Sequence, residues 1–163
     1  MVFSHTNLSD VPEKAKGAYI LILHVKENLK IRIGCLGLQY IGRGYYAYVG
    51  SAQGRPPQNL KGRLKRHVSR EKKARWHIDY LTLNRKVIPV KAVIVFSENM
   101  EHELSKMLES TGGEPVIKGF GATDCKAGCY SHLYKIRRID DAILKISDNL
   151  QRRNLRFAVV DLR

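Results

Sequence analysis

Two tyrosines, an arginine and a histidine stand in an order that suits phosphate chemistry. Gly17-Ala18-Tyr19 opens one apolar run, Tyr48-Val49-Gly50 lies near the end of another, and Leu60-Lys61-Gly62-Arg63-Leu64 follows. Tyrosines on adjacent strands can present two phenolic hydroxyls to one patch. An arginine on the next helix can approach that patch as a planar, bidentate phosphate ligand. His67 comes four residues after Arg63, on the same face of a helix. Each feature alone is common; their order and spacing single them out.

The elements that must position these residues are visible as pattern. Gly17–Val25 (GAYILILHV) is almost uninterruptedly apolar, as in a strand buried on both faces. Residues 28–33 alternate with period two, the glycine-punctuated stretch up to Gly44 reads as turns and edge, and residues 45–51 form another strand. Together they predict a hairpin or three-stranded meander. Residues 53–59 (QGRPPQN) are a loop, and Asn59 is a good N-cap for a helix running through residue 71, with Leu60, Leu64 and His67 on one face. A second helix is predicted over 74–83, its Trp76 and Tyr80 read as core, followed by a strand over 89–97. Ser97 can cap a helix over 98–110, which Gly112 and Gly113 end. A short strand at 132–136, an amphipathic helix over 140–153 and a strand at 156–162 complete the chain. Residues 1–14 read as a polar lead-in and 114–132 as a loop. Strands in a run before helices predict an α+β fold, with a small, largely antiparallel central sheet flanked by helices. At 163 residues the chain has the length of a single domain.

Charge points to a polyanion. Twenty-nine Lys and Arg against fifteen Asp and Glu leave +14. Residues 61–75 hold eight of those cations and one Glu, a net +7 and half of the total. Lys61, Lys65, Arg66, Arg70, Lys72, Lys73 and Arg75 are therefore candidate nucleic-acid contacts, gripping the backbone without reading sequence. Arg152, Arg153 and Arg156 can extend that surface. No run approaches the ~18 uncharged apolar residues of a membrane span. The first residues resemble neither a secretion signal nor a transit peptide, and three cysteines suit a reducing compartment. A cytoplasmic location away from membranes is expected.

With GAY at 17–19 and YVG at 48–50, the chain resembles the GIY-YIG nuclease superfamily. The resemblance covers about residues 16–110, places the motif arginine on Arg63 and leaves 111–163 as a C-terminal extension. It implies a small sheet flanked by helices that cuts DNA phosphodiesters. Tyr19 is implied as a base or water-positioning group, Tyr48 as a second hydroxyl lining the site, and Arg63 as the stabiliser of the pentacovalent phosphate. His67 is expected to help Tyr19 deprotonate the attacking water. One Glu on a later helix is implied as a metal ligand. In residues 99–110 the stripe Met100, Leu104, Met107 and Leu108 is apolar, and Glu103 and Glu101 flank it at about 60° and about 100° from Met100. Glu103, nearer the middle of the buried face, is the preferred catalytic carboxylate and metal ligand; Glu101 stays open as the alternative. Few acids lie outside that helix, which suits a single Mg²⁺ or Mn²⁺ rather than two.

Two departures stand out. Ala18 replaces the central Ile, and the 28 residues between the tyrosines leave room for an inserted strand or flap. Cys125, Cys129 and His132 form a C-x3-C-x2-H sequence that could hold zinc, with Cys35 or Asp124 as fourth ligand. A turn packed under the sheet, or a local disulfide, competes with that reading. This loop and WHIDYL (76–81) resemble an uncharacterised, mainly archaeal branch of the superfamily, sometimes fused to a base-excision glycosylase, which implies a DNA-repair setting. His77 is a further residue that could turn toward the site. The expectation is a metal-dependent endonuclease acting on DNA, structure- or lesion-dependent because no base-reading module is visible. The alternative is a non-catalytic nucleic-acid-binding module on the same scaffold.

Overall fold

The computed structural model describes residues 4–123 and 128–163. Its elements run β1 (Ser4–Asn7), β2 (Gly17–Val25), β3 (Leu29–Arg32), β4 (Leu38–Ile41), β5 (Gly44–Ala52), α1 (Leu60–Val68), α2 (His77–Thr82), β6 (Val87–Val95), α3 (Glu101–Ser110), β7 (Glu114–Pro115), β8 (Leu133–Ile136), α4 (Ile139–Arg152) and β9 (Phe157–Asp161). Seven strands form one sheet in the order β1-β9-β6-β2-β5-β8-β7, while β3 and β4 pair separately as a two-stranded ribbon. Only β1 and β9 run parallel; every other pairing between these strands is antiparallel. The fold is α+β with a mostly antiparallel sheet flanked by four helices, as the pattern predicts.

The apolar run of β2 is explained by its place in the middle. It lies between β5 and β6, and its alternate side chains enter two separate cores. Tyr19, Leu21, Leu23 and Val25 pack with Tyr48, with Leu60 and Leu64 of α1, and with Ile78 and Leu81 of α2. Ala18, Ile20 and Ile22 pack with Leu104, Met107 and Leu108 of α3 and with Ile143, Ile146 and Leu150 of α4. Both faces being covered, neither can be polar.

Four boundaries differ from the pattern, each for a local reason. The lead-in contributes β1, an edge strand too short to carry an apolar signature, and Val11 behind it is buried. α1 ends at Val68, because Ser69 turns the backbone extended. α2 begins only at His77, where the Asp79 carboxylate accepts the amides of Arg75 and Trp76 and fixes the start. α3 begins at Glu101, since Asn99 is left-handed (φ 56°), so Ser97 caps nothing. Among the described residues no helix is long and apolar enough to cross a membrane.

The seat of α1 depends on two residues. The Asn59 side chain accepts the Gly62 amide at 3.3 Å, capping the helix. Gly62 itself lies against the preceding loop: a Cβ there would stand 2.0 Å from the Pro57 carbonyl oxygen. In an open helix, replacing Gly by Ala gains about 0.5–1 kcal/mol. Here the sign reverses, and Gly62→Ala is expected to lower stability by about 1–3 kcal/mol through overpacking against backbone. Urea unfolding of the two proteins checks it; a neutral or stabilising change would show that α1 can lift off the loop freely.

Candidate active site

β2 and β5 pair so that Tyr19 faces Gly50 and Leu21 faces Tyr48. Tyr19 and Tyr48 are thereby diagonal neighbours on one face, their ring centroids 6.4 Å apart. A Cβ on Gly50 would lie 2.4 Å from Tyr19 Oη and Cζ. The Tyr19 ring therefore lies across Gly50, and the two glycine-tyrosine motifs form one packing unit.

α1 brings His67 to the same point. Its Nε2 is 2.7 Å from Tyr19 Oη, and its ring centroid stands 5.4 Å from that of Tyr19 and 6.2 Å from that of Tyr48. Tyr19 and His67 are each only 1% exposed. Burial pushes the Tyr19 phenol well up, with Tyr48 adding to it and the Arg63 charge opposing. Burial pushes His67 down to about 3, helped by Lys72 and opposed by Asp79. Both members of the pair are neutral at rest.

The loop after β7 closes the other side. Phe120 meets the Tyr48 ring edge-on at 5.9 Å and packs on His77 at 5.6 Å. The Gly121 amide donates to His77 Nδ1 at 2.9 Å, which puts the His77 proton on Nε2, facing Cys35 Sγ at 3.8 Å. His77 thus supports the loop below the tyrosines. His132 is buried beside Gly121, its Nδ1 3.9 Å from Glu101 Oε2.

Arg63 is the cation left unspent. Its guanidinium lies 4.3 Å from the centre of the Trp76 ring, and Arg66 lies 4.7 Å from the same ring. Arg66 also donates to Asp79 at 2.7 Å and to the Lys73 carbonyl at 2.8 Å. The Arg63 guanidinium, by contrast, has no hydrogen bond or ion pair among the described residues, and its buried Nε is unpartnered. It stands one turn before His67 on α1, and its charge opposes the upward shift of both tyrosines. Trp76 holds a planar cation in place by its face without consuming the cation's hydrogen-bond donors. The reading of Trp76 as core is half right: it packs on the core and also carries the arginines.

The geometry bears on two sequence expectations, the choice between Glu103 and Glu101 and the freedom of the basic segment. Glu103 accepts from Arg153 at 3.0 Å, on the α4 side and away from the tyrosines. The alternative carboxylate, Glu101, lies 3.9 Å from His132 Nδ1, and its charge raises both phenols. The basic segment is also less free than its composition suggests. Lys61 donates to the Ser9 carbonyl and to Glu13, and Arg70 donates to the carbonyls of Thr82, Asn84 and Val87. Lys72, pushed down to about 8 by burial, donates to the Arg66 carbonyl and to Thr82. Lys61, Arg66, Arg70 and Lys72 therefore hold the fold, while Lys65, Lys73 and Arg75 remain exposed. Of the zinc candidates, Cys125 and Asp124 lie outside the described residues, and Cys129 Sγ is 3.5 Å from His102 Nδ1.

The model of the family described as "Domain of unknown function DUF123" matches residues 18–155, a span that holds every one of these groups. The chain belongs to that family. No curated protein and no solved structure matches it. For this DUF123 domain, the packing of Phe120 on Tyr48 and the second role of Trp76 went unseen in sequence, since each acts through a contact across a loop, while His132, singled out as a zinc candidate, lies beside Glu101. Gly50 is the one that could have been found, as the glycine directly opposite a strand tyrosine.

Two outcomes follow for the DUF123 site. Gly50→Ala must displace the Tyr19 ring, breaking its bond to His67; loss of the native Tyr19 ring signals in aromatic NMR, in a still-folded protein, is the expected readout. His67 titrates about three in the folded state and near 6.5 unfolded, so between those values the unfolded chain binds the extra proton. Stability therefore falls as pH drops from 6.5 toward 3, and His67→Gln should flatten that slope in urea unfolding at pH 7, 5 and 4. An unchanged slope would mean that His67 is not the buried proton acceptor.

Proposed function

We propose that this DUF123 chain is a metal-dependent endonuclease of the GIY-YIG type, hydrolysing DNA phosphodiester bonds at altered or branched structures in repair. The observation that carries the reading is Arg63: an orphaned guanidinium, held by Trp76 beside a tyrosine–histidine pair. A planar cation with free donors is what a phosphate oxygen pair requires. The motif positions, the net charge of +14 and the exposed Lys65, Lys73 and Arg75 support a polyanionic substrate.

In this reading Arg63 binds the scissile phosphate and stabilises the added negative charge of the pentacovalent state. Starting from the neutral pair, Tyr19 orients the water, accepts its proton and hands its own proton to His67 Nε2, which then releases it to solvent. The water oxygen bonds to phosphorus as the bond to the 3′-oxygen breaks, and the leaving oxygen takes a proton from solvent. Tyr48 lines the pocket against Phe120 and sets the position of the Tyr19 ring. Glu101 fits one hard divalent ion: its carboxylate is part exposed and forms no ion pair with Lys or Arg among the described residues, leaving room for waters. When bound, Mg²⁺ or Mn²⁺ supplies charge neutralisation at the phosphate and the leaving oxygen.

One observation favours a second reading. Tyr19 and His67 are almost wholly enclosed, as suits a packed scaffold that binds nucleic acid without cutting it. A cleavage panel separates the two: single-stranded, duplex, branched, nicked and base-damaged DNA, with RNA counterparts, in Mg²⁺, Mn²⁺ or EDTA. Metal-dependent cutting is expected, lowered about 10²–10³-fold by Arg63→Ala, and abolished by Tyr19→Phe and Glu101→Gln with binding largely kept. Salt-sensitive binding without cutting on any substrate would establish the binding module instead. Cutting that survives all three changes would place the chemistry elsewhere.

A further inference from the structure

The ribbon of β3 and β4 has two faces with different chemistry. Leu29 pairs with Ile41 and Ile31 with Gln39, and the apolar three of these pack into the core that holds Tyr19 and Tyr48. On the opposite face Lys30 pairs with Tyr40, and Arg32 with Leu38. Tyr40 is 74% exposed, the most exposed of the large hydrophobic side chains, and Lys30 Nζ lies 5.5 Å from its ring centre. The inner face accounts for the folding of the ribbon. Nothing in the packing calls for an aromatic ring on the outer one.

Charge narrows what this face fits. Residues 28–70 contain no Asp or Glu, while Lys30, Arg32 and Arg43 are all exposed. The ribbon turn also reaches the candidate active site. Cys35 approaches His77, Gly34 lies beside the Tyr80 ring, and Leu36 borders Gly119 in the loop that carries Phe120. An exposed aromatic ring flanked by cations, on a segment that carries no acid of its own, is the pairing that single-stranded nucleic acids use: bases stack on the ring and the cations hold the backbone.

We propose that the outer face of the β3–β4 ribbon binds unpaired bases of a nucleic-acid strand, with Tyr40 as the stacking platform and Lys30 and Arg32 on the adjoining phosphates. It rests on the nucleic-acid reading above but not on hydrolysis. A paired base has its faces occupied by its neighbours, so the platform selects single strands, bulges and frayed ends. The patch thereby deepens the substrate class to nucleic acid carrying an unpaired base near the bond presented to Arg63.

Binding in EDTA tests this without any need for cutting. The probes are labelled DNA and RNA oligonucleotides in three forms: single strand, perfect duplex, and duplex with a one-nucleotide bulge of 2-aminopurine. For single-stranded and bulged probes, Tyr40→Ala should weaken binding about tenfold or more and abolish 2-aminopurine quenching, while Tyr40→Phe keeps both. Perfect duplex should change by less than about twofold, because it offers no open base face. Lys30→Ala with Arg32→Ala should lower the salt dependence of binding on every probe. The DNA and RNA arms show which strand is preferred. Tyr40→Ala leaving single-strand affinity and quenching intact, with strong salt-dependent binding preserved, overturns this assignment and leaves the nuclease reading standing. Absence of binding to every probe overturns both. A change in sedimentation on Tyr40→Ala, with nucleic-acid affinity unaltered, would instead make the ribbon a contact between copies of the chain and also overturns the assignment.

Discussion

Asp79 is wholly buried, and its carboxylate has to be ionised to hold what surrounds it. Burial opposes its charge, but the Arg66 guanidinium and the amides of Trp76 and Arg75 donate to it and outweigh that penalty, so its pKa lies below the ordinary value. Lys72 adds its charge from 3.9 Å. A buried charge persists only when it is paired and hydrogen-bonded, and the basic segment supplies those partners. The consequences reach the site in two steps. Fixing the amides of Arg75 and Trp76 sets where α2 begins and where the Trp76 ring stands. That ring then carries Arg66, Arg75 and Arg63, and Arg63 keeps its side-chain donors unspent among the described residues.

The same arrangement leaves fewer free cations than the charge density of the basic segment suggests. Composition counts Lys61, Arg66, Arg70 and Lys72 as free cations, yet each donates to a carbonyl or a carboxylate within the fold. Arg70 gathers three carbonyls just past the end of α2, where helix carbonyls lose their partners. No pattern in one sequence separates such an arginine from a solvated one. What was legible followed from periodicity and local chemistry: β2 as a strand covered on both faces, Asn59 as a cap, and the inward stripe of α4. The strand at Ser4–Asn7 was hidden because four residues at a sheet edge carry no period worth measuring. The choice between Glu101 and Glu103 was hidden for another reason. A helical wheel gives the angle of each side chain but not what covers each flank, and the partner that captures Glu103 is Arg153, fifty residues on.

The electrostatics of the tyrosine–histidine pair set a limit on its chemistry. Burial drives the two groups apart, the phenol upward and the imidazole downward, so a resting phenolate–imidazolium pair is the disfavoured state. Transfer of a proton to His67 becomes favourable only when negative charge arrives nearby, because Lys72, Arg63 and Arg66 all oppose a charged imidazole. In the proposed reaction a phosphate on Arg63 would supply that charge; without an anion the pair stays neutral, which spares a buried polar pair the cost of ionising.

The ribbon between the tyrosines belongs to the same logic. Two four-residue strands do not stand alone in water, and β3 and β4 avoid this by sinking Ile33, Ile41 and their neighbours into the core that contains Tyr19 and Tyr48. The long connection is therefore a fixed wall, and the family match runs through it without interruption. Because side chains alternate along each strand, the inward anchoring of Leu29, Ile31 and Ile41 forces Lys30, Arg32, Leu38 and Tyr40 outward as a set. A slip of one residue in the register would bury the cations and expose the isoleucines. The polarity of the outer face is consequently tied to the same core that holds Tyr19, and whatever meets Tyr40 does so at an orientation fixed relative to Arg63.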